Sequence, residues 1–297
     1  MNIIKHWIGI GHALIALFIM ITTTFLGSVP VLLIGLLKLY PNDPWKKKCT
    51  HILDHIAILW SDVNNAYINH IHPAHWDVIG PVNYNPKDWY LVVANHQSWL
   101  DIVVLQRIFN RKIPVLKFFI KDQLKWVPIL GFSWWAMGCP FMKRYSPAYL
   151  DKHPEKKGAD LEATKKALKS FKQAPGTLMS FVEGTRFTKK KSLDQNAPYQ
   201  HLLKPKAGGV GFVIDIMNKQ IKHLLDVTIV YPNKENSLWQ FLCRRIHSVK
   251  IHIRELPIPQ HFLNSDLLEN ETMLYEFRQW LNLQWSLKDQ LITSMKT

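Results

Sequence analysis

The sequence predicts an α/β protein with a mostly parallel sheet flanked by helices, preceded by an N-terminal membrane-embedded helix or helical hairpin. Three observations support this prediction. A run of 32 residues near the N-terminus contains no charged side chain. Short apolar runs then alternate with helical patterns along the rest of the chain. No internal repeat, low-complexity tract or Gly/Ser linker interrupts that part, which favours a single domain after the membrane segment.

The uncharged run lies between Lys5 and Lys38. As a straight helix it would extend about 48 Å, whereas the hydrocarbon core of a bilayer is about 30 Å thick. Gly27 and Pro30 predict a break, because proline removes one backbone donor and crowds the preceding turn. Two geometries satisfy these constraints: a tilted or kinked single span, and a hairpin of two short helices in one leaflet. A cleaved signal peptide is disfavoured, because the run is too long for its apolar core.

Flanking lysines predict the orientation of this segment. One lysine precedes it, and four follow it closely: Lys38, Lys46, Lys47 and Lys48. Basic residues are retained on the cytoplasmic side of a membrane. We therefore predict a membrane anchor at residues 1–44 and a cytoplasmic domain at residues 45–297.

The overall charge restricts the class of partner. The chain has 37 basic and 22 acidic residues, a net charge of +15. A positive field attracts phosphate-rich partners such as anionic lipid, nucleic acid, coenzyme A or an acidic carrier protein, and charge alone does not distinguish them. The three cysteines, Cys49, Cys139 and Cys243, are widely spaced. Their spacing argues against a disulfide framework and favours a reducing compartment.

Periodicity and apolar runs predict the order of elements in the domain. Predicted strands cover 89–94, 114–120, 177–182, 225–230 and 249–253. Predicted helices cover 45–62, 98–109, 121–133, 155–173, 208–219 and 267–291. This alternation predicts that the strands run mostly parallel, with helices as their connections.

One candidate catalytic motif runs from Asn95 to Asp101 and includes His96. His96 follows a predicted strand, and the ends of such strands present reactive groups in open α/β sheets. Asp101, five residues further on, can fix the imidazole tautomer through the first helical turn. The other ring nitrogen is then free to take a proton from a substrate hydroxyl. By spacing alone, a surface histidine near a helix start is the simpler interpretation.

A second motif, Glu183 to Arg186, also follows a predicted strand. The planar guanidinium of Arg186 suits a phosphate group. Gly184 and Thr185 can present backbone and hydroxyl donors, and Glu183 either orders the loop or binds a substrate glycerol. The alternative is a tight turn with a surface ion pair, and the motif taken alone does not decide between them.

Together, in this order, the two motifs resemble the 1-acylglycerol-3-phosphate O-acyltransferase superfamily. Two further stretches are similar to that family: Gly138 to Arg144 resembles its second block, and Val227 to Pro232 its fourth. The tail also looks like that of the longer eukaryotic lysophosphatidic acid acyltransferases and their bacterial relatives. The likeness extends from about residue 85 to the end of the chain.

The resemblance implies a mechanism. His96, held by Asp101, would remove the proton from the acceptor hydroxyl as that oxygen attacks an acyl thioester. Backbone N–H groups at the start of the 98–109 helix would stabilise the oxyanion. Arg144 and Arg186 would bind the phosphate of a lysophospholipid acceptor. Acyl-CoA or acyl carrier protein would be the donor, with no cofactor and no metal required.

The same resemblance implies a protein of the bacterial inner membrane, in contact with membrane lipid, with its catalytic domain in the cytoplasm. Lys204 and Lys206 precede a predicted helix that starts at Gly208 or Gly209. A helix N-terminus beside two lysines is a second candidate anion site, and a solvated basic loop is the alternative.

Two other functions and two metal sites were weighed against this hypothesis. One alternative keeps the mechanism and changes the acceptor to a lysophospholipid with a larger head group, such as lysophosphatidylglycerol. A membrane-tethered nucleic-acid-binding protein is permitted by the charge, but no RNA- or DNA-binding motif supports it, so we expect no nucleic-acid partner. Zinc is disfavoured because neither candidate histidine group, at residues 70–77 or at His51 and His55, has a complete ligand set.

Overall fold

The computed structural model describes residues 3–72, 74–142, 168, 171, 175–232, 235–263, 267 and 270–296 of the chain. Its helices are α1 Ile3–Leu37, α2 Asp43–Ile71, α3 Leu100–Phe109, α4 Leu130–Ala136, α5 Lys189–Asp194, α6 Ala207–Met217, α7 Leu238–Leu242, α8 Gln260–Leu263 and α9 Glu271–Lys296. Its strands are β1 His75–Ile79, β2 Trp89–Ala94, β3 Leu116–Phe118, β4 Ile120–Lys121, β5 Phe141–Met142, β6 Thr177–Phe181, β7 Ile221–Val230 and β8 Ser248–Leu256.

Six of these strands form one sheet in the order β1-β8-β7-β2-β6-β3. All neighbours in the sheet pair in parallel except β7 and β8, so the predicted α/β fold with a mostly parallel sheet is confirmed. Successive side chains of a strand point to opposite faces. On β2, Tyr90, Val92 and Ala94 belong to one hydrophobic core, and Leu91 and Val93 belong to the other. Burial on both faces explains why this strand is a continuous apolar run.

Helix α1 is continuous, so the predicted break at Gly27 and Pro30 is wrong. Proline removes one backbone hydrogen bond, but packing holds the helix together on the C-terminal side of Pro30. Val31 lies in a small buried cluster with Leu53 of α2 and Ala136 of α4. The contact at Gly35 is closer still, because an added Cβ would lie 2.7 Å from the Cβ of Ala136.

The helical hairpin of this structure is formed by α1 and α2, rather than by two short helices within residues 1–44. The indole N–H of Trp60 donates to the Thr24 hydroxyl at 3.2 Å, and the Tyr67 hydroxyl donates to the carbonyl of His12 at 3.4 Å. These contacts run in opposite directions along the two helices, which are therefore antiparallel. The division of the chain at residue 44 stays a prediction.

Small residues line the buried face of α1, including Gly9, Ala13 and Ala16, whereas large apolar side chains such as Trp7 and Phe18 are exposed. Among the described residues, α1 is the one helix long and apolar enough to cross a membrane, judged by length and composition.

Several element boundaries differ from the prediction. Helix α2 is longer than predicted, and the predicted helix at 121–133 is a 3-10 helix, Asp122–Trp126, followed by α4. The residue before a proline avoids the helical conformation, and Val127, which precedes Pro128, is extended. Strands β1 and β5 and helices α5, α7 and α8 were not predicted. The predicted helix at 155–173 lies outside the described residues except for 168 and 171.

Candidate active site

The catalytic motif begins at the carboxyl end of β2, in the middle of the sheet. The side-chain amide of Asn95 donates to the carbonyl of Ile229 at 3.0 Å and accepts from its N–H at 2.9 Å. Asn95 thus pairs with β7 as the backbone of a strand residue would. The Gln97 amide also donates to the Ile229 carbonyl, at 2.7 Å. The loop that carries His96 is therefore held from both sides by the same residue of β7.

His96 and Asp101 form the predicted pair. The Nδ1 atom of His96 lies 2.8 Å from the Oδ2 atom of Asp101. Because the carboxylate can only accept, Nδ1 carries the proton. No hydrogen bond among those of the described residues involves Nε2. The side chain of His96 is 14% exposed, so a substrate can reach it.

Asp101 is completely buried, and its carboxylate is surrounded by donors. Besides His96, the backbone N–H groups of Gln97 and Ser98 donate to Oδ2 at 2.6 and 2.8 Å. The hydroxyl of Tyr231 donates to Oδ1 at 2.7 Å. Four hydrogen bonds compensate for the loss of water around a buried carboxylate. They also fix its orientation, so that Oδ2 faces the imidazole.

Phe181, the last residue of β6, covers one face of the imidazole. The two rings are stacked, with 3.8 Å between their centroids and 13° between their planes. Phe118 of β3 contacts Phe181 in turn, with its ring centroid 6.2 Å from that of Phe181. These contacts restrict the ring of His96 to one plane beside Asp101.

Glu183 bonds to the loop that carries His96, whereas the sequence predicted that it orders its own loop or binds a substrate glycerol. Its carboxylate accepts the N–H of His96 at 2.9 Å on one oxygen and the N–H of Leu203 at 2.8 Å on the other. The residue is completely buried. Burial raises the pKa of Glu183 to about 7, although the two N–H groups and the nearby Lys288 ammonium favour its charged form.

This raised pKa predicts a pH-dependent stability. The folded chain holds a proton on Glu183 that the unfolded chain releases above about pH 4.5. The contribution of this proton to the free energy of unfolding is fully present below that pH and is lost as the pH rises through about 7. Its size is on the order of 3 kcal/mol. We expect the free energy of unfolding in detergent to fall more between pH 4.5 and 8 for the wild type than for Glu183→Gln. Equal pH dependence in the two proteins would contradict the assignment.

The turn after β6 carries the other residues of the second motif. Gly184 has a φ of 68°, in the left-handed region that favours glycine, and its N–H donates to the Phe181 carbonyl at 2.8 Å. The Lys191 ammonium donates to the Thr185 hydroxyl at 2.8 Å and to the Arg186 carbonyl at 3.1 Å. The Thr185 hydroxyl is therefore already engaged by the protein.

Arg186 lies beside the catalytic loop with its charge exposed. Its guanidinium carbon is 5.4 Å from the centroid of the Trp99 ring. The neighbouring Phe187 N–H donates to the His96 carbonyl at 2.7 Å, which ties this segment to the catalytic histidine. The ion pairs of the described residues do not include Arg186, so the alternative of a surface ion pair finds no support in them.

Lys204 and Lys206 lie next to the same turn. The Lys206 N–H donates to the Val182 carbonyl at 2.9 Å, and Lys206 directly precedes α6. The Lys204 N–H donates to the Gln195 side chain at 3.3 Å, and the side chains of both lysines are exposed. Arg144, the remaining predicted site residue, lies outside the described residues.

The predicted oxyanion donors are mostly engaged within the protein. The Asp101 carboxylate accepts the N–H groups of Gln97 and Ser98, and the Ser98 hydroxyl oxygen accepts the N–H of Leu100. The N–H of Asp101 itself donates to the Ser98 carbonyl. In the described part of the chain, the Trp99 N–H is the one at this helix start without a partner. The helix start therefore offers a substrate oxygen one donor instead of several.

An apolar cavity of about 200 Å³ lies between the α1–α2 hairpin, α4 and the edge of the sheet. Its lining includes Val31, Ile56, Phe109, Leu116, Phe118 and Leu130. Phe118 of the lining contacts Phe181, which in turn stacks on the imidazole of His96. The site thus combines a His–Asp pair, an exposed guanidinium and an adjacent apolar space.

Sequence reasoning included Asn95 in the candidate catalytic motif and Tyr231 in the stretch that resembles the family's fourth block, but it assigned no role to these residues or to Phe181. Tyr231 follows directly after an apolar run that was predicted as a strand, and that position placed it at the same sheet edge as His96. No pattern along the chain indicated which carboxylate it would contact, because its partner lies 130 positions away.

Comparisons with known proteins show what this chain is similar to. A model of the Acyltransferase family matches residues 75–232, more than half of the chain. The chain is 29% identical over 230 residues to 1-acyl-sn-glycerol-3-phosphate acyltransferase epsilon of Mus musculus, covering 69% of this chain and 58% of the relative. It is 36% identical over 109 residues to the 1-acyl-sn-glycerol-3-phosphate acyltransferase of Saccharomyces cerevisiae, covering 37% of this chain and 31% of the relative.

The chain therefore spans less than two thirds of the length of these curated relatives. The crystal structure of the 1-acyl-sn-glycerophosphate acyltransferase PlsC from Thermotoga maritima is similar in fold, with a TM-score of 0.58 and 17% sequence identity. That match covers 99% of this chain and 98% of the other.

Proposed function

Because this chain belongs to the acyltransferase family, we propose that it moves a fatty acyl chain from an acyl thioester to the free hydroxyl of a lysophospholipid. The proposed acceptor is 1-acylglycerol-3-phosphate, and the product is then phosphatidic acid. The single observation that carries the proposal is the His96–Asp101 pair, which leaves Nε2 of a partly exposed histidine available beside the exposed Arg186.

In the proposed mechanism, Nε2 of His96 takes the proton of the acceptor hydroxyl as the hydroxyl oxygen attacks the thioester carbonyl. Asp101 stabilises the imidazolium that forms. The tetrahedral intermediate then collapses with cleavage of the C–S bond, and the imidazolium returns the proton to the thiolate. The Trp99 N–H is the backbone donor available to the oxyanion at this helix start.

The acceptor phosphate is assigned to Arg186, with Arg144 as a second ligand implied by the family resemblance. A charge-assisted pair with the guanidinium provides both attraction and orientation. Lysophosphatidylglycerol, in which the phosphate carries a glycerol, is the alternative acceptor for the same mechanism. Lys204 and Lys206, beside the N-terminus of α6, form the proposed second anion site, and the phosphates of the donor are its proposed ligand.

The acyl chain has a proposed place in the apolar cavity. Phe118 lines the cavity and contacts Phe181, which stacks on His96, and this proximity supports an acyl chain in the cavity with its thioester carbonyl toward Nε2. Burying methylene groups in such a space is favourable by about 0.8 kcal/mol each. Acyl-CoA and acyl carrier protein both supply the thioester.

A panel of purified lysophospholipids with each donor tests the proposal directly. Transfer to lysophosphatidic acid from acyl-CoA or from acyl carrier protein supports it, and the comparison identifies the donor. Preferential transfer to lysophosphatidylglycerol would change the proposed acceptor and leave the proposed mechanism unchanged. A protein that transfers to no acceptor yet retains nucleic acid on a filter would refute the proposal.

Arg186→Ala is expected to raise the KM for lysophosphatidic acid by roughly 10- to 100-fold, with a much smaller change in the KM for the donor. The reason is the loss of a charge-assisted contact to phosphate, with a net value of roughly 1.5 to 3 kcal/mol. Steady-state kinetics with each substrate varied in turn measures the effect, with Arg278→Ala on α9 as the control. A raised KM for the donor with an unchanged KM for the acceptor would reassign Arg186 to the donor site.

We further propose that α1 anchors the protein in the inner membrane of a bacterium, with the catalytic domain in the cytoplasm. The length of α1 and the lysines that follow it support this orientation. A reporter cysteine in the 188–200 loop, in a variant without the native cysteines, is expected to be protected from a membrane-impermeant reagent in intact cells. Labelling without permeabilisation would reverse the proposed orientation.

A further inference from the structure

The C-terminal helix α9 binds the backbone of the loop between α5 and α6. The carboxylate of Asp289 accepts the N–H of Gln200 at 2.9 Å on one oxygen and the N–H of His201 at 2.8 Å on the other. About two helical turns away, the hydroxyl of Tyr199 donates to the carbonyl of Asn282 at 3.3 Å. Three successive residues of the loop are therefore held by one helix.

The same loop reaches the catalytic histidine through Glu183. Leu202 and Leu203 are completely buried, and the Leu203 N–H donates to one oxygen of Glu183 at 2.8 Å. The other oxygen of Glu183 accepts the N–H of His96 at 2.9 Å. A displacement of the loop at residues 200–203 would thus act on the carboxylate that holds the backbone of His96.

Helix α9 is itself fixed against the sheet by a buried ion pair. Lys288 is completely buried, with its ammonium 2.5 Å from Asp226 and 2.8 Å from the carbonyl of Val227 on β7. Asp226 also pairs with Arg254 of β8 at 2.6 Å. Breaking a buried pair of this kind leaves an uncompensated charge, so α9 has a strongly preferred register. Because Asp289 is next to Lys288, the same register brings the Asp289 carboxylate into contact with the loop.

We propose that Asp289 is a positioning residue for acyl transfer. It holds the segment 200–203 so that the Leu203 N–H stays on Glu183, and Glu183 in turn fixes the backbone of His96. Catalytic rates depend on the position of a base to within about 1 Å, so a loosened loop lowers the rate although it leaves the substrate contacts in place. This inference rests on the proposed function.

A double-mutant cycle tests the pathway. Acyl-transfer kcat and KM are measured for the wild type, Asp289→Ala, Glu183→Gln and the double variant. Asp289→Ala is expected to lower kcat by about 10-fold with both KM values changed by less than about twofold. In the double variant, kcat is expected to stay within about twofold of that of Glu183→Gln, because both changes act through one carboxylate.

Two further variants make the test decisive. Glu276→Gln removes an exposed carboxylate of the same helix, 13 residues before Asp289, and is expected to keep the wild-type kcat. Asp289→Asn keeps one carbonyl acceptor and is expected to give an intermediate kcat, and it replaces the alanine variant in the cycle if that protein does not fold.

A folded Asp289 variant with wild-type kcat would overturn this inference and leave the proposed function intact. A double variant whose fall in kcat is the product of the two single falls would do the same. Absence of transfer by the wild type with every acceptor and donor would overturn the proposed function and this inference together.

Discussion

Replacing His96 by alanine is expected to lower kcat for acyl transfer by about 10²- to 10⁴-fold, the usual contribution of a general base. The change removes the atom that takes the acceptor proton and leaves the scaffold in place. The loop keeps its bonds to Glu183 and to Phe187, because both use the backbone of His96. The folded state and membrane association are therefore expected to persist.

The measurement is steady-state acyl transfer with the acceptor found to be preferred, together with thermal unfolding to verify the fold. His261→Ala is a matched control, since His261 is an exposed histidine of α8 far from the site along the chain. It is expected to retain wild-type kcat. A His96→Ala protein that keeps more than about a tenth of the wild-type activity would exclude His96 as the general base.

Asp101→Asn is expected to have the second largest effect, a fall in kcat of about 10²- to 10⁴-fold with KM nearly unchanged. Asparagine has almost the shape of aspartate, and its amide group can donate to the Tyr231 hydroxyl where the carboxylate accepts from it. The geometry is thus kept, while the negative charge that stabilises the imidazolium is lost.

The kinetics are compared with those of Asp43→Asn, in which a carboxylate 70% exposed at the start of α2 is replaced. That control is expected to match the wild type. A kcat for Asp101→Asn within about threefold of the wild type would mean that Asp101 has only a structural role at the helix start.

The buried position of Glu183 has a consequence for the pH at which the enzyme is assayed. Its pKa of about 7 lies within the ordinary assay range, so the link between His96 and the 200–203 loop changes protonation there. Activity measurements on His96 and Asp101 variants are therefore best compared at one pH above 8, where the Glu183 carboxylate is mostly ionised in every protein.

The sequence by itself determined the fold class, the order of most elements and the family. Apolar runs and helical periods are local properties, and they predicted strands β2, β6, β7 and β8 and helices α2, α3, α6 and α9. The resemblance to the 1-acylglycerol-3-phosphate O-acyltransferase superfamily is confirmed by the family match at residues 75–232. The His96–Asp101 contact was also predictable, because its partners are five residues apart and a single helical turn joins them.

Only the tertiary structure decided how the rest of the site is assembled. The bond between His96 and Glu183 joins residues 87 positions apart, that between Tyr231 and Asp101 joins residues 130 apart, and that between Asp289 and His201 joins residues 88 apart. The same holds for the continuity of α1 through Pro30, which depends on packing against Leu53 and Ala136. Such contacts depend on strand order and on the packing of helices, and the local sequence predicts neither.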